Sequence, residues 1–100
     1  MTFTSVSPEE FTALMHKENS FVIRAPISWN KVLEGTDLVM EQGDINEYKD
    51  VLPVDTTTQI LVYCRRGNAS RVICQQLSDV GYTKVINLEG GMYNLLGIRE

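Results

Sequence analysis

The 100-residue sequence has little of several things, and each shortage argues against a class of protein. Its two cysteines, Cys64 and Cys74, form no CxxC pair, and His16 is the single histidine, so neither a disulfide scaffold nor a metal site is expected. No apolar run approaches the ~20 residues that span a bilayer, and the N-terminus lacks the basic and then apolar character of a signal peptide. We therefore expect a cytoplasmic protein with no membrane segment, no metal and no cofactor.

Positive charge is also in short supply. The formal net charge of -4 opposes the field of a polyanion, and no basic stripe interleaved with aromatic residues offsets it, so nucleic acid is not an expected partner. What the chain does have, 43 % hydrophobic and 22 % charged residues without a low-complexity tract, is typical of an ordinary folded protein. We expect a single domain over residues 1–100, present as a monomer.

Helix signals occur in three places. Ser7 can cap a helix predicted from about Pro8 to Lys17, where the apolar residues follow helical spacing. A weaker pattern predicts a short helix from Ile45 to Leu52, and a strong one predicts a helix from Ser70 to Val80. Gly81 stands where that last helix should stop.

Short apolar, β-rich runs alternate with these helices. They predict strands over residues 21–24, 59–63 and 84–88, with a weaker candidate at 37–40, and Gly90-Gly91 opens a last short turn or helix ending near Leu96. Such alternation is typical of an α/β fold: a central, mostly parallel sheet of four to five strands with helices on both faces.

Cys64 directly follows the most apolar predicted strand, at the sheet edge where α/β proteins bind ligands. A thiol between a strand and a helix faces backbone N–H groups and the positive end of the helix dipole, which favours the thiolate. Arg65 and Arg66 add positive charge that would attract an anionic sulfur donor. Gly67 supplies the freedom that a tight loop needs, and Asn68 tolerates left-handed geometry. The alternative is an inert buried cysteine beside two solvated arginines. The apolar strand, the cysteine, the two arginines, the glycine and the following helix occur together, and this combination favours a catalytic role for Cys64.

The run Val62-Tyr63-Cys64-Arg65-Arg66-Gly67-Asn68-Ala69-Ser70 resembles the active-site loop of the rhodanese family. Val80-Gly81-Tyr82 and Asn87-Leu88-Glu89-Gly90-Gly91 extend the likeness, and Val22-Ile23-Arg24-Ala25-Pro26 resembles the family's Asp-Val-Arg-x-Pro element. The resemblance implies a rhodanese-like three-layer domain. It also implies a sulfurtransferase that moves a sulfane sulfur from a donor such as thiosulfate to cyanide or a thiol, through a persulfide on a cysteine.

The same resemblance assigns roles to individual residues. Cys64 is expected to be the catalytic nucleophile. Donor binding is expected at Arg65 and Arg66, because basic residues directly after the cysteine are similar to the thiosulfate-using branch of the family. The full set of expected substrate-binding residues is Arg65, Arg66, Gly67, Asn68, Ala69, Ser70 and Arg24.

Two other functions remain open. A rhodanese-like module that relays sulfur to a protein partner, with little small-molecule turnover, is favoured by departures from the family pattern: Val22 for an aspartate, Ala69 for an arginine and Leu95 near an expected tryptophan. A related phosphatase would need an arginine six positions after the cysteine to clamp phosphate. Ser70 occupies that position and Arg71 comes one later, so this function ranks low.

The remaining chemically active residues are predicted to be structural. Cys74 could act as a resolving thiol, but its helical position predicts core packing. His16 is expected at the surface. Trp29 and Tyr63 could line a pocket, yet buried aromatic residues in a small domain usually belong to the core.

Overall fold

The computed structural model describes residues 3–98. In chain order its elements are β1 (Thr4–Val6), α1 (Pro8–Met15), β2 (Ser20–Arg24), β3 (Leu38–Val39), a 3-10 helix (Ile45–Tyr48), β4 (Gln59–Tyr63), α2 (Asn68–Asp79), β5 (Val85–Leu88) and α3 (Gly91–Leu96). The five strands form one sheet in the order β1-β5-β4-β2-β3, and every pairing is parallel. The predicted α/β class and its parallel sheet are confirmed.

Alternation along the two central strands divides the core into two layers. In β4, Ile60 and Val62 face one side of the sheet, whereas Leu61 and Tyr63 face the other. The first side packs against α2 and the 3-10 helix through Ile73, Cys74, Leu77 and Ile45. The second packs against α1 and α3 through Phe11 and Met92. Helices therefore cover both faces, as predicted.

Local signals set most element boundaries. The Ser7 hydroxyl accepts a hydrogen bond from the Glu10 N–H at 3.2 Å, which caps α1 as predicted, although the helix ends at Met15 rather than Lys17. The weaker candidates at 37–40 and 45–52 form as the two-residue β3 and the 3-10 helix. β4 has the predicted bounds.

The predicted start of α2 at Ser70 is wrong, because the helix begins at Asn68. Gly67 precedes it with φ of 103°, and no non-glycine residue among 3–98 has positive φ. The left-handed geometry expected of Asn68 therefore belongs to Gly67, for which it carries no Cβ penalty.

β1 is a strand that was not predicted from the sequence. Its three residues, Thr4–Val6, are partly or fully exposed and lie at the sheet edge, in register with Ile86 to Leu88 of β5. This short segment has no alternating apolar pattern, and pairing with β5 defines it as a strand. Across residues 3–98, every helix falls short of the length and apolarity needed to cross a membrane.

Candidate active site

Cys64 lies where β4 ends and the loop to α2 begins. It is 1 % exposed and forms part of the wall of a cavity of about 260 Å³. The rest of that wall is Ile27, Ser28, Arg65, Arg66, Asn68 and Ala69. The structure thus brings together Cys64 and four of the seven predicted substrate-binding residues.

The Cys64 sulfur is held by groups from its own loop. The Gly67 N–H donates to Sγ at 3.0 Å, and Sγ lies 3.3 Å from the Ser70 hydroxyl, to which the thiol donates. The positive φ of Gly67 turns the loop so that its N–H points back at the sulfur. Gly67 and Ser70 are both buried and contact the sulfur, whereas neither forms part of the cavity wall.

A hydrogen-bond chain continues from Cys64 across the sheet. The Ser70 hydroxyl donates to Oδ1 of Asn87, and Nδ2 of Asn87 donates to the Ser5 hydroxyl at 3.0 Å. Ser70 and Asn87 are completely buried, and Ser5 is exposed on β1. The chain therefore links the candidate nucleophile to solvent at the edge of the sheet, through strand neighbours paired in register.

Arg65 is fixed by two aromatic residues, Trp29 and Tyr93, that were not predicted to belong to the site. Its Nε and one terminal nitrogen donate to the Tyr93 hydroxyl at 3.0 and 2.6 Å. Its guanidinium carbon lies 5.4 Å from the centre of the Trp29 ring, within the range of a cation–π contact. Trp29 and Tyr93 pack edge to face, with ring centres 5.5 Å apart. No spacing in the chain indicates this cluster, because its members come from three separate segments.

Arg66 occupies the outer side of the same cavity. It is exposed, and its guanidinium carbon lies 5.0 Å from the centre of the Tyr93 ring. Arg65 and Arg66 therefore place two permanent positive charges beside a nearly buried sulfur.

The Gly90-Gly91 pair lets the start of α3 dock directly on the cysteine loop. The Met92 and Tyr93 N–H groups donate to the carbonyls of Cys64 and Arg65 at 2.8 and 3.0 Å. A Cβ on Gly91 would lie 2.6 Å from backbone atoms of Arg65 and Arg66, closer than such contacts occur. This approach requires glycine at position 91, and the two hydrogen bonds hold the carbonyls of Cys64 and Arg65 against α3.

Arg24 lies outside the Cys64 cavity. Its side chain is 4 % exposed, one terminal nitrogen donates to the carbonyls of Trp29 and Lys31 at 3.2 Å each, and Nε has no hydrogen-bond partner. It lines a neighbouring depression of about 610 Å³, which shares Ile27 and Ser28 with the cavity. A bracing role for the Trp29 loop fits these contacts, and donor binding by Arg24 stays a prediction.

Cys74 packs in the core, in agreement with its predicted role. It is completely buried on the side of α2 that packs against the sheet, in one apolar cluster with Ile73 and Leu77. Burial raises the pKa of the Cys74 thiol from 9.0 to about 12, with a smaller contribution from the neighbouring Cys64. His16 is exposed, and Tyr63 is a core residue, as predicted.

Arg71 is turned toward a carboxylate on the surface. It forms an ion pair of 3.2 Å with Glu89, and both side chains are about half exposed. Ser70, in the position where a phosphatase would carry its arginine, contacts the Cys64 sulfur instead. This geometry disfavours a phosphate clamp. Within residues 3–98, no three His, Cys, Asp or Glu side chains lie together in a way that could hold a metal ion.

The fold and the cysteine loop define the class of protein. The family model for the rhodanese-like domain matches residues 6–97, and the chain belongs to this family. The resemblance inferred from the loop motif is confirmed.

Individual relatives are consistent with this assignment. The chain is 29 % identical over 96 residues to the thiosulfate sulfurtransferase GlpE of Tolumonas auensis, a match that covers 89 % of this chain and 84 % of the relative. A rhodanese homologue from Thermus thermophilus superposes with a TM-score of 0.67 at 26 % identity, over 91 % of this chain and 99 % of the other. A Rhodopseudomonas palustris protein of unknown function, described as a possible tyrosine phosphatase, shares the fold with a TM-score of 0.78 at 15 % identity, over 95 % and 80 % of the two chains. The family match and the GlpE relative together support a sulfurtransferase at the level of the family, and the Rhodopseudomonas palustris structure shows the fold alone.

Proposed function

We propose that this protein is a thiosulfate sulfurtransferase in which Cys64 carries the transferred sulfur as a persulfide. The observation that carries the proposal is the Cys64 sulfur itself, which faces a small cavity with two arginines and accepts the Gly67 N–H. A cavity of about 260 Å³ has room for a small sulfur oxyanion, since one water in the liquid takes up roughly 30 Å³.

In the first half of the reaction the Cys64 thiolate attacks the outer sulfur of thiosulfate. A bond forms between Sγ and that sulfur, the sulfur–sulfur bond of thiosulfate breaks, and sulfite leaves with the bonding electron pair. Arg65 and Arg66 attract the dianion to the cavity and stabilise the charge that collects on the departing sulfite. The Gly67 N–H stabilises the attacking thiolate through the 3.0 Å hydrogen bond.

In the second half a nucleophilic acceptor removes the outer sulfur of the persulfide. With cyanide, a carbon–sulfur bond forms, the persulfide bond breaks, and thiocyanate leaves while the Cys64 thiolate is regenerated. A small thiol acceptor would attack in the same way and leave as a persulfide. Because Cys64 is 1 % exposed, acceptors that fit the cavity are favoured over bulky ones.

A second candidate is a sulfur relay that loads once and passes its sulfur to a protein partner with little turnover. The position of Arg24 favours it: the buried guanidinium binds backbone carbonyls beside the cavity, so the positive charge in the cavity comes from the loop alone. The cytoplasmic location and the monomeric state remain predictions.

Steady-state formation of thiocyanate from thiosulfate and cyanide tests the enzyme against the relay. An enzyme forms thiocyanate in many-fold excess over protein, and Cys64→Ser abolishes this, whereas the matched variant Cys74→Ala retains it. Formation of at most one thiocyanate per protein molecule would contradict the enzyme proposal and favour the sulfur relay.

A further inference from the structure

The hydrogen-bond chain Cys64–Ser70–Asn87–Ser5 has one property that the transfer reaction alone does not explain. The single hydroxyl proton of Ser70 points at Asn87, so Ser70 offers Cys64 only a lone pair. This arrangement suits a protonated thiol, which donates to Ser70. It does not suit a thiolate or a persulfide, because neither has an S–H on Sγ to donate.

Asn87 makes the chain reversible. The oxygen and nitrogen of an amide have nearly the same shape, so rotation of the side-chain amide exchanges an acceptor for a donor in the same space. After rotation the amide donates to Ser70, the Ser70 hydroxyl turns to donate to the sulfur, and the Ser5 hydroxyl donates to the amide oxygen. Every group remains partnered in both directions. A buried polar group left without a partner is destabilising, and this hydrogen-bond chain avoids that penalty in both states.

We propose that Asn87 is a positioning residue whose amide rotation reverses the chain Cys64–Ser70–Asn87–Ser5, so that the Ser70 hydroxyl donates to the Cys64 sulfur once that sulfur has lost its proton. The thiol proton leaves to water in the cavity before this step, and the step itself changes only the direction of three hydrogen bonds. The inference gives Asn87 of the Asn-Leu-Glu-Gly-Gly motif a role in the reaction, and its part in sulfur transfer rests on the proposed function.

The charged and titratable groups of the cavity, α2 and the end of β5 are the same in every variant tested. Arg65 and Arg66 share the cavity of the Cys64 sulfur, Cys74 and Arg71 lie on α2, and Glu89 follows β5 and pairs with Arg71. None of these residues belongs to the hydrogen-bond chain Cys64–Ser70–Asn87–Ser5.

The test measures the rate at which iodoacetamide alkylates Cys64 in the folded protein at pH 7.5, with the modified cysteine identified by peptide mass. This reagent attacks the thiolate and transfers no sulfur, so the test can fail or succeed independently of the proposed function. Asn87→Asp supplies a carboxylate that only accepts, which holds the Ser70 proton away from the sulfur. We expect it to slow alkylation about tenfold, the effect of one lost hydrogen bond of about 1.4 kcal/mol.

A double-mutant cycle separates this effect from simple charge repulsion by the new carboxylate. In a Ser70→Ala background no hydroxyl remains to be held, so Asn87→Asp should slow alkylation less than threefold. An equal slowing with and without the Ser70 hydroxyl would overturn the proposal.

Asn87→Leu gives a second, independent result if the buried carboxylate prevents folding. With an apolar side chain at 87, the acceptor for the Ser70 proton is lost and the sulfur is the remaining side-chain partner of that hydroxyl. The rate should therefore stay within threefold of native, while Ser70→Ala lowers it about tenfold. Ser78→Ala is the matched control, because this buried serine lies on the same helix as Ser70 but outside the hydrogen-bond chain, and it should stay within twofold. A loss in Asn87→Leu as large as that in Ser70→Ala, with native circular dichroism, would contradict the reversal.

Discussion

Replacing Gly91 by alanine tests whether the dock between α3 and the cysteine loop is as tight as the structure indicates. Two costs add at this position. The backbone has φ of 65°, where an L-residue is disfavoured by about 1–2 kcal/mol, and the new Cβ would lie 2.6 Å from three backbone atoms of Arg65 and Arg66. Those atoms belong to the backbone rather than to flexible side-chain ends, so the loop itself must move.

Gly97→Ala separates the two costs. Gly97 has φ of 71°, close to that of Gly91, but a Cβ there would meet nothing within 4 Å. We expect Gly97→Ala to lower the free energy of unfolding by about 1–2 kcal/mol, and Gly91→Ala to lower it by about 3–5 kcal/mol. The difference corresponds to roughly 10 °C in Tm for a domain of this size.

Urea unfolding followed by circular dichroism gives both free energies, and the alkylation rate of Cys64 reports the state of the loop. Gly91→Ala should also change that rate, because a shift of the Arg65 and Arg66 backbone also shifts Gly67, whose N–H donates to the sulfur. Gly97→Ala should leave the rate unchanged. If the two variants differ by less than about 0.5 kcal/mol, the size of an ordinary surface effect, the close approach of α3 to the loop is wrong.

The hydroxyl that holds Arg65, the buried Cys74 thiol and the exposed Arg71 ion pair can each be tested by one substitution. Tyr93→Phe removes the hydroxyl that holds Arg65 but keeps the ring against Trp29. Loss of this half-exposed charged hydrogen bond, worth about 1 kcal/mol, should raise the KM for thiosulfate about fivefold and leave kcat within twofold. An unchanged KM would contradict the positioning of Arg65 by Tyr93. Burial holds the pKa of Cys74 at about 12, whereas an unfolded thiol ionises near 9.0. The contribution of the neutral Cys74 thiol to the free energy of unfolding is therefore complete below pH 9 and is lost as the pH rises toward 12, by up to about 1.4 kcal/mol per pH unit. Cys74→Ala should flatten that part of the stability curve, and parallel curves would refute the assignment. Arg71→Ala breaks only a half-exposed ion pair, so the free energy of unfolding, measured by denaturation, should change by less than about 1 kcal/mol. Thiosulfate turnover in the thiocyanate assay should stay within twofold, and a large loss of turnover would show that Arg71 belongs to the site.

Much of the fold follows from local patterns in the chain. The continuous apolar run of β4 indicates a strand buried on both faces, and it lies within five neighbouring residues. The start of α1 is set by one hydrogen bond between Ser7 and Glu10, which are three residues apart. β1 has no such pattern and exists through its pairing with β5. α2 starts two residues earlier than predicted because the left-handed Gly67, and not a polar side chain, precedes its first turn.

The candidate site divides in the same way. Cys64 and its two arginines are adjacent in the chain, so the motif predicts their shared cavity. Trp29 and Tyr93 reach Arg65 from segments far apart in the chain, and nothing in the local pattern of either indicates it. The motif likewise does not show which loop residues contact the sulfur and which contact the cavity, since this depends on the turn at Gly67 and the docking of α3.

The most direct test of the central proposal is the intact mass of the protein after incubation with thiosulfate, under non-reducing conditions. The proposal predicts that the native chain and Cys74→Ala each gain the mass of one sulfur atom, that cyanide or dithiothreitol removes it, and that Cys64→Ser gains nothing. If the native chain takes up no sulfur from thiosulfate, or if Cys64→Ser still does, the persulfide mechanism on Cys64 is contradicted.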